Sequence, residues 1–336
     1  MALAKHASLL FQASQANLIG ERVKILVTGA RGFVGQALCR HVRASGHELI
    51  AIVRQGPAES DEIALGTLDA HTDWRHVLSG VDVVVHLAGR AHAVDAPGDD
   101  VDAVYHAANV VVTRNLAEQA REAGIQRFVF VSTIKVNGES TPPRCAFSAD
   151  DSPAPEDAYG RSKLAAERYV ASLCERSTMT YTVIRPPLVY GPGVKANFHS
   201  MMKWLCTGLP LPLGAIDNRR SLIGLENLVD LIMTAAQHPM AANQVFLAGD
   251  GEDLSTTELL RRVARALGRP ARLLPMPAAW IFATARMLGR QSLAARLCGS
   301  LQVDTAKART LLGWQPPDTV DEGLRKTAAD YLARLK

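Results

Sequence analysis

Residues 23–28 (VKILVT) form a short β-branched run ending at a glycine, and the next stretch, QALCRHVRAS (36–45), spaces its apolar positions three and four apart. A second apolar run, ELIAIV (48–53), follows, so the opening of the chain predicts strand, helix, strand. Two further runs, VDVVVHLAG (81–89) and RFVFVS (127–132), flank the helically spaced AANVVVTRNLAEQAREAG (107–124), and another strand, YTVIRP, begins at Tyr181. Strands that are apolar at nearly every position are covered on both faces. Their alternation with helices predicts an α/β fold built on a doubly wound parallel sheet.

After Pro186 the texture changes to PPLVYGPG, GLPLPLG and GRPARLLPMP, with shorter apolar runs and more proline. The chain is therefore divided into an N-terminal extension (1–20), a sheet domain (21–185) and a smaller mixed C-terminal domain (186–336), some segments of which return to the sheet. ENLVDLIMTAAQ (226–237) and TTELLRRVARALG (256–268) carry helical spacing. AAWIFATARMLG (278–289) is the most apolar late stretch, but Arg286 interrupts it well short of a membrane span, so it reads as a packed or docking helix.

Composition narrows the setting. The 336 residues are 48% hydrophobic and 21% charged, enough for a large core. The net charge of +4 comes from 37 basic and 33 acidic residues, read as interspersed: no footprint for duplex nucleic acid stands out, and mild basicity suits an anionic small molecule. Five scattered cysteines without a CxxC pair argue against structural zinc and a disulfide framework, and for a reducing cytoplasm. No His or Cys has ligand spacing, so no metal is assigned. Residues 1–20 lack a sustained apolar core before a cleavage site and are read as an extension, not a secretory signal.

The run TGARGFVG places Gly29, Gly32 and Gly35 between the first strand and the first helix. Glycines there let the backbone approach a pyrophosphate, whose charge is favoured by the free N–H groups of the helix start, with Phe33 and Val34 beside it. At the end of the second strand, where a protein using NAD presents an acid to the ribose, stand Val53 and Arg54. Arg54, and Arg31 within the glycine turn, are suited to gripping an extra phosphate, so NADP(H) is favoured, with NAD as the alternative.

Tyr159 and Lys163, in DAYGRSKLAAE, share one helical face at i and i+4. An ammonium placed so favours the phenolate and brings the tyrosine into use as a proton carrier. Thr133, 26 residues upstream at the end of an apolar strand, offers a hydroxyl to orient a carbonyl or alcohol, with Ser132 as its competitor. His86 reads as a packed strand residue.

Together, TGARGFVG, HLAG (86–89), Asn109 in ANVVVTRNL, STIKVNG, YGRSK and RPPLVYGPG resemble the extended short-chain dehydrogenase/reductase family, over most of residues 23–315. The resemblance implies a Rossmann domain and a substrate domain. It assigns proton transfer to Tyr159, pKa lowering and nicotinamide-ribose binding to Lys163, and the reacting oxygen to Thr133. It adds Leu87, Ala88, Gly89 and Asn109 to the cofactor site, and Asn197 and Arg220 to the substrate's nucleotide diphosphate.

Some positions depart from the family pattern. Ile134 and Lys135 follow Thr133 where nucleotide-sugar dehydratases carry Asp and Glu, which removes dehydration. Thr67 stands where an acid often meets adenine, and Leu188 where epimerases commonly carry asparagine. Arg31, Arg54 and the missing dehydratase acids make an NADPH-dependent nucleotide-sugar 4-keto reductase the first expectation, and the resemblance implies a UDP-linked 6-deoxy-N-acetylhexosamine as its substrate. A UDP-hexose or UDP-N-acetylhexosamine 4-epimerase is the second, and a non-catalytic dinucleotide sensor the third. The resemblance also implies a homodimer through helices near 109–123 and 159–173.

Overall fold

The computed structural model describes residues 22–91, 100–142 and 145–335; the extension assigned to residues 1–20 lies outside them. Seven parallel strands form the main sheet in the order β3-β2-β1-β4-β5-β6-β9. They are β1 (Lys24–Thr28), β2 (Glu48–Val53), β3 (Glu62–Ala64), β4 (Val83–His86), β5 (Arg127–Val131), β6 (Thr180–Arg185) and β9 (Gln244–Leu247). A second sheet, in the order β10-β8-β7, joins β7 (Leu188–Tyr190), β8 (Arg220–Gly224) and β10 (Asp253–Leu254). The principal helices are α1 (Phe33–Ala44), α2 (Val112–Glu122), α3 (Ala158–Cys174), α4 (Ala196–Thr207), α5 (Leu225–Gln237), α6 (Thr256–Ala266), α7 (Ala278–Met287), α8 (Gln291–Cys298) and α9 (Val320–Ala333).

The unbroken apolar strands are explained by two cores, one on each face. Alternate side chains of a strand point to opposite sides, so Ile25 and Val27 pack with Leu38 and Val42 of α1 and Leu228 and Ile232 of α5. Leu26 turns the other way, joining Val84, Phe128 and Phe130 under Leu116 of α2 and Ala166 and Val170 of α3. Strand order reverses at β1, whose neighbours are β2 and β4. The crevice beyond the carboxyl ends of β1 and β4 is where such sheets hold ligands.

The chain leaves the sheet at Pro186 and Pro187 to form β7, and a third core gathers Tyr190, Leu222, Leu260, Val263 and Leu324. The later chain also returns: α5 covers one sheet face and β9 pairs with β6. β3 is absent from the sequence reading because three residues with the burial of an edge strand carry no apolar run. Among the described residues no helix is long and apolar enough to cross a membrane.

Candidate active site

At the turn after β1, Gly29 has a φ of +69°, and a Cβ on it would lie 2.8 Å from the Ala88 nitrogen. A Cβ on Gly35 would lie 2.1 Å from the Gly29 carbonyl oxygen, so this turn closes only on glycine. Gly32 is the N-cap of α1, whose first turn, starting at Phe33 and Val34, contains no acidic residue. A tight glycine cradle at a helix start, free of negative charge, fits the pyrophosphate of a dinucleotide. Leu87, Ala88 and Gly89 follow β4 on the facing side, with the Ala88 N–H held by the Thr28 hydroxyl at 3.2 Å.

At the outer end of the cleft the arginines behave differently from each other. Arg54 is exposed beyond the buried Val53. Arg31 is tied down: its guanidinium meets Glu62 at 2.7 Å and donates to the carbonyls of Gln55 at 2.8 Å and Gly56 at 2.5 Å. Glu62 also accepts from the Ala58 N–H, and with Arg31 as the main cause its pKa falls to about 2. The sequence reading missed this carboxylate. It arrives on β3, eight residues past Arg54, by strand pairing that no local spacing announces.

The inner end is built on α3. Asp157 caps the helix, accepting from the Gly160 N–H at 2.6 Å, and Lys135 holds the same carboxylate at 2.5 Å. Burial opposes the charged Asp157, but Lys135 and the capping N–H outweigh it and keep its pKa below the ordinary value. Thus Lys135, in the place of a dehydratase acid, is spent on Asp157 and on Glu139 at 2.8 Å.

The Tyr159 hydroxyl senses that of Thr133, which acts to lower its pKa, and its ring meets Tyr105 at 5.8 Å between centroids. Burial, helped by Asp157 and Tyr105, pushes its pKa up to about 12, against the lowering effect of Thr133. Lys163 donates to the Val131 carbonyl at 2.8 Å and lies 4.0 Å from the centre of the Phe130 ring. Burial brings its pKa down to about 7, opposed by Glu167. Lys163 is not among the groups that shift Tyr159: its ammonium turns toward the sheet, and desolvation dominates both groups. The Ser132 hydroxyl is buried without a partner among the described residues, so Thr133 and not Ser132 meets Tyr159.

Asn109 sits in a π-helical turn, His106–Val111, that leads into α2. Its side chain accepts from the Arg90 N–H at 2.7 Å and donates to the Arg90 carbonyl at 3.1 Å and to Ser162 at 2.9 Å. It thus joins the loop after Gly89 to α3, one residue from Lys163, and π turns of this kind gather at functional sites. Lys163 Nζ lies 3.9 Å from where a Cβ on Gly89 would stand. His86 is fully buried between Thr28, at 2.7 Å, and Thr113, at 3.0 Å, and burial lowers its pKa to about 3, so it is a neutral packing residue. Below these groups Arg185 of β6 forms a buried ion pair with Glu167 of α3 at 2.6 Å and donates to Asn137 at 3.0 Å.

On the second domain's side, Arg220 begins β8 and donates to the carbonyls of Arg296 and Gly299, each at 3.0 Å. Burial lowers its pKa, and no carboxylate pairs with it among the described residues. A half-buried guanidinium without a counter-charge is suited to an anionic ligand. Asn197 falls in the first turn of α4, and its side chain lies outside the described residues. Leu188 is 44% exposed at the start of β7.

The model of the NAD dependent epimerase/dehydratase family matches residues 25–249. A UDP-glucose 4-epimerase of Vibrio cholerae is 44% identical over 92% of this chain and 95% of its own length. A 2-alkyl-3-oxoalkanoate reductase of Stenotrophomonas maltophilia is 29% identical over 93% of this chain and all of its own. The fold is similar to that of UDP-glucuronic acid 4-epimerase from Bacillus cereus, solved with NAD, with a TM-score of 0.74, 22% identity, and coverage of 94% of this chain and 100% of that one.

Proposed function

The chain belongs to the NAD dependent epimerase/dehydratase family, and on that basis we propose that it is a nucleotide-sugar 4-epimerase that retains NAD and acts on a UDP-hexose or UDP-N-acetylhexosamine. The observation that carries this choice is the Arg31–Glu62 pair: the arginine is already neutralised, and the carboxylate at 2.7 Å repels the extra phosphate of NADP. An epimerase must have its dinucleotide returned oxidised, which NAD held in place satisfies. The 44% identity to a UDP-glucose 4-epimerase supports the same substrate class. A cytoplasmic homodimer joined through α2 and α3 belongs to this proposal.

When bound, the dinucleotide supplies a reversible acceptor of two electrons from the sugar C4. Tyr159 takes the C4 hydroxyl proton as the ketone forms and returns it as the alcohol is remade. Thr133, whose hydroxyl influences that of Tyr159, holds the reacting oxygen in line. Proton loss from Tyr159 is favoured when the Lys163 ammonium, one helical turn away, turns from the Val131 carbonyl toward the phenolate. Arg220, and Asn197 with it, engage the diphosphate.

One observation favours a second reading, NADPH-dependent reduction of a UDP-4-keto-6-deoxy-N-acetylhexosamine: Arg54 is exposed at the tip of β2 where an acid would select NAD. The two are separated by incubating the purified protein with UDP-galactose and UDP-N-acetylgalactosamine without added cofactor. Interconversion with their gluco epimers, and NAD released on denaturation, support the epimerase. Oxidation of NADPH by the 4-keto sugar without any interconversion overturns it.

A further inference from the structure

Ten large hydrophobic side chains stand exposed among the described residues, and five of them, Leu274, Trp280, Phe282, Met287 and Leu288, fall within fifteen consecutive positions in and around α7. Concentration on that scale marks an interaction surface, whereas single exposed leucines do not. α7 has no buried residue. It rests on the third core through the half-buried Ala278 and Ile281, three apart on one face. The opposite face carries Trp280, Ala283 and Met287, at helical spacings of three and four. Thr284, beside that stripe, turns its hydroxyl back onto the Trp280 and Ile281 carbonyls, at 2.9 and 3.1 Å. The helix thus presents little unsatisfied polarity outward.

Charge around this face is one-sided. Residues 259–303 contain eight arginines and no aspartate or glutamate, in a chain that carries 33 acidic residues elsewhere. The interspersion of charge assumed from the totals fails here. Among the described residues only Arg262 of the eight is ion-paired, with Glu252, Glu258 and Asp321 outside the run. Arg286 and Arg290 are exposed within and just after α7, and Arg296 follows on α8.

An apolar stripe with a tryptophan, flanked by arginines, matches a helix that lies in the plane of a lipid headgroup layer. We propose that the α7 face docks on an anionic membrane surface, with Trp280 and Met287 entering the headgroup region and Arg286 and Arg290 meeting lipid phosphates. A second copy on this face would bring Arg286 and Arg290 against the same arginines of its partner, and that repulsion disfavours a two-fold pairing.

The test is flotation of the full-length protein with vesicles of phosphatidylglycerol and phosphatidylethanolamine, against vesicles of phosphatidylcholine, at about 0.1 M salt, where charged surfaces still attract over about 10 Å. Flotation with the anionic vesicles only is expected, with a blue shift of tryptophan emission that Trp280→Phe removes. Arg286→Gln with Arg290→Gln is expected to weaken binding roughly tenfold or more, and Trp280→Ser with Met287→Ser to abolish it. All these positions are exposed, so circular dichroism and melting temperature are expected to match the wild type. Absence of the wild type from anionic vesicles, or equal binding by both double variants, overturns the proposal. A vesicle-free dimer, detected by sedimentation and lost in Trp280→Ser with Met287→Ser, also overturns it, in favour of a second copy as the occupant.

Discussion

The two ends of the proposed dinucleotide cleft are held by opposite electrostatics. At the inner end Lys163 and Glu167 are nearly sealed from water, and desolvation moves Lys163 down to about 7 and Tyr159 up to about 12. At the outer end Arg31 has a side chain 44% exposed, and its charge is answered by Glu62 and two backbone carbonyls. The buried end sets proton affinities and responds little to salt, while the exposed end can exchange partners when a ligand arrives. Chemistry therefore belongs to the first and cofactor choice to the second.

The largest effect is expected from removing one oxygen at the buried end. Tyr159→Phe should lower kcat for sugar interconversion by about 1,000-fold, the scale of lost general acid–base catalysis, while KM and melting temperature stay close to the wild type. A loss of less than tenfold in steady-state assays breaks the assignment of proton transfer to this end.

Beneath it, Glu167→Gln removes one partner of the buried Arg185 pair and leaves a guanidinium without its counter-charge. Urea unfolding should show a loss of about 3 kcal/mol. The contrast is Asp61→Asn, which breaks the exposed pair with Arg43 and should cost less than about 1 kcal/mol. Equal losses would erase the distinction between buried and exposed pairs.

Lys163 gives the pH signature. Its native value near 7 lies below the ordinary lysine value of about 10.4. Between the two the unfolded chain binds the proton that the native state has released, so native stability rises with pH across that window. Lys163→Met loses this slope. It should exceed the wild type in stability by roughly 2 kcal/mol near pH 6, with the difference fading toward pH 10 while activity is lost. Parallel stability profiles, measured by denaturant unfolding across that range, would show that the ammonium is not buried.

Much of the sheet and the inner site was legible because the signal is local. Unbroken apolar runs marked the strands, the Gly29, Gly32 and Gly35 spacing marked the turn, and Tyr159 and Lys163 lie one helical turn apart. The outer site was not legible, since Glu62 reaches Arg31 only through pairing of β3 with β2, and no periodicity singles out a three-residue edge strand. Spacing also placed Lys163 on the helical face of Tyr159 without revealing that its ammonium would turn to Val131. The π turn at Asn109 stayed hidden for the same reason: it departs from regular helical geometry, which the apolar spacing alone cannot report.

The smallest expected effect is the one that tests cofactor choice. Glu62→Gln removes the charge that neutralises Arg31 while keeping a hydrogen-bonding side chain, so the guanidinium becomes available to a 2′-phosphate beside Arg54. Affinity for NADPH relative to NADH should rise by about tenfold, as expected for release of one partly exposed charge–charge contact, and fall again as salt is raised. Fluorescence titration of both reduced dinucleotides at two salt concentrations measures it. If the ratio is unchanged, the outer pair only braces the β2 tip, and selectivity rests on Arg54 alone. A further Arg31→Ala change in the Glu62→Gln background separates the outcomes, because it reverses the gain only where Arg31 had been the group answering the phosphate.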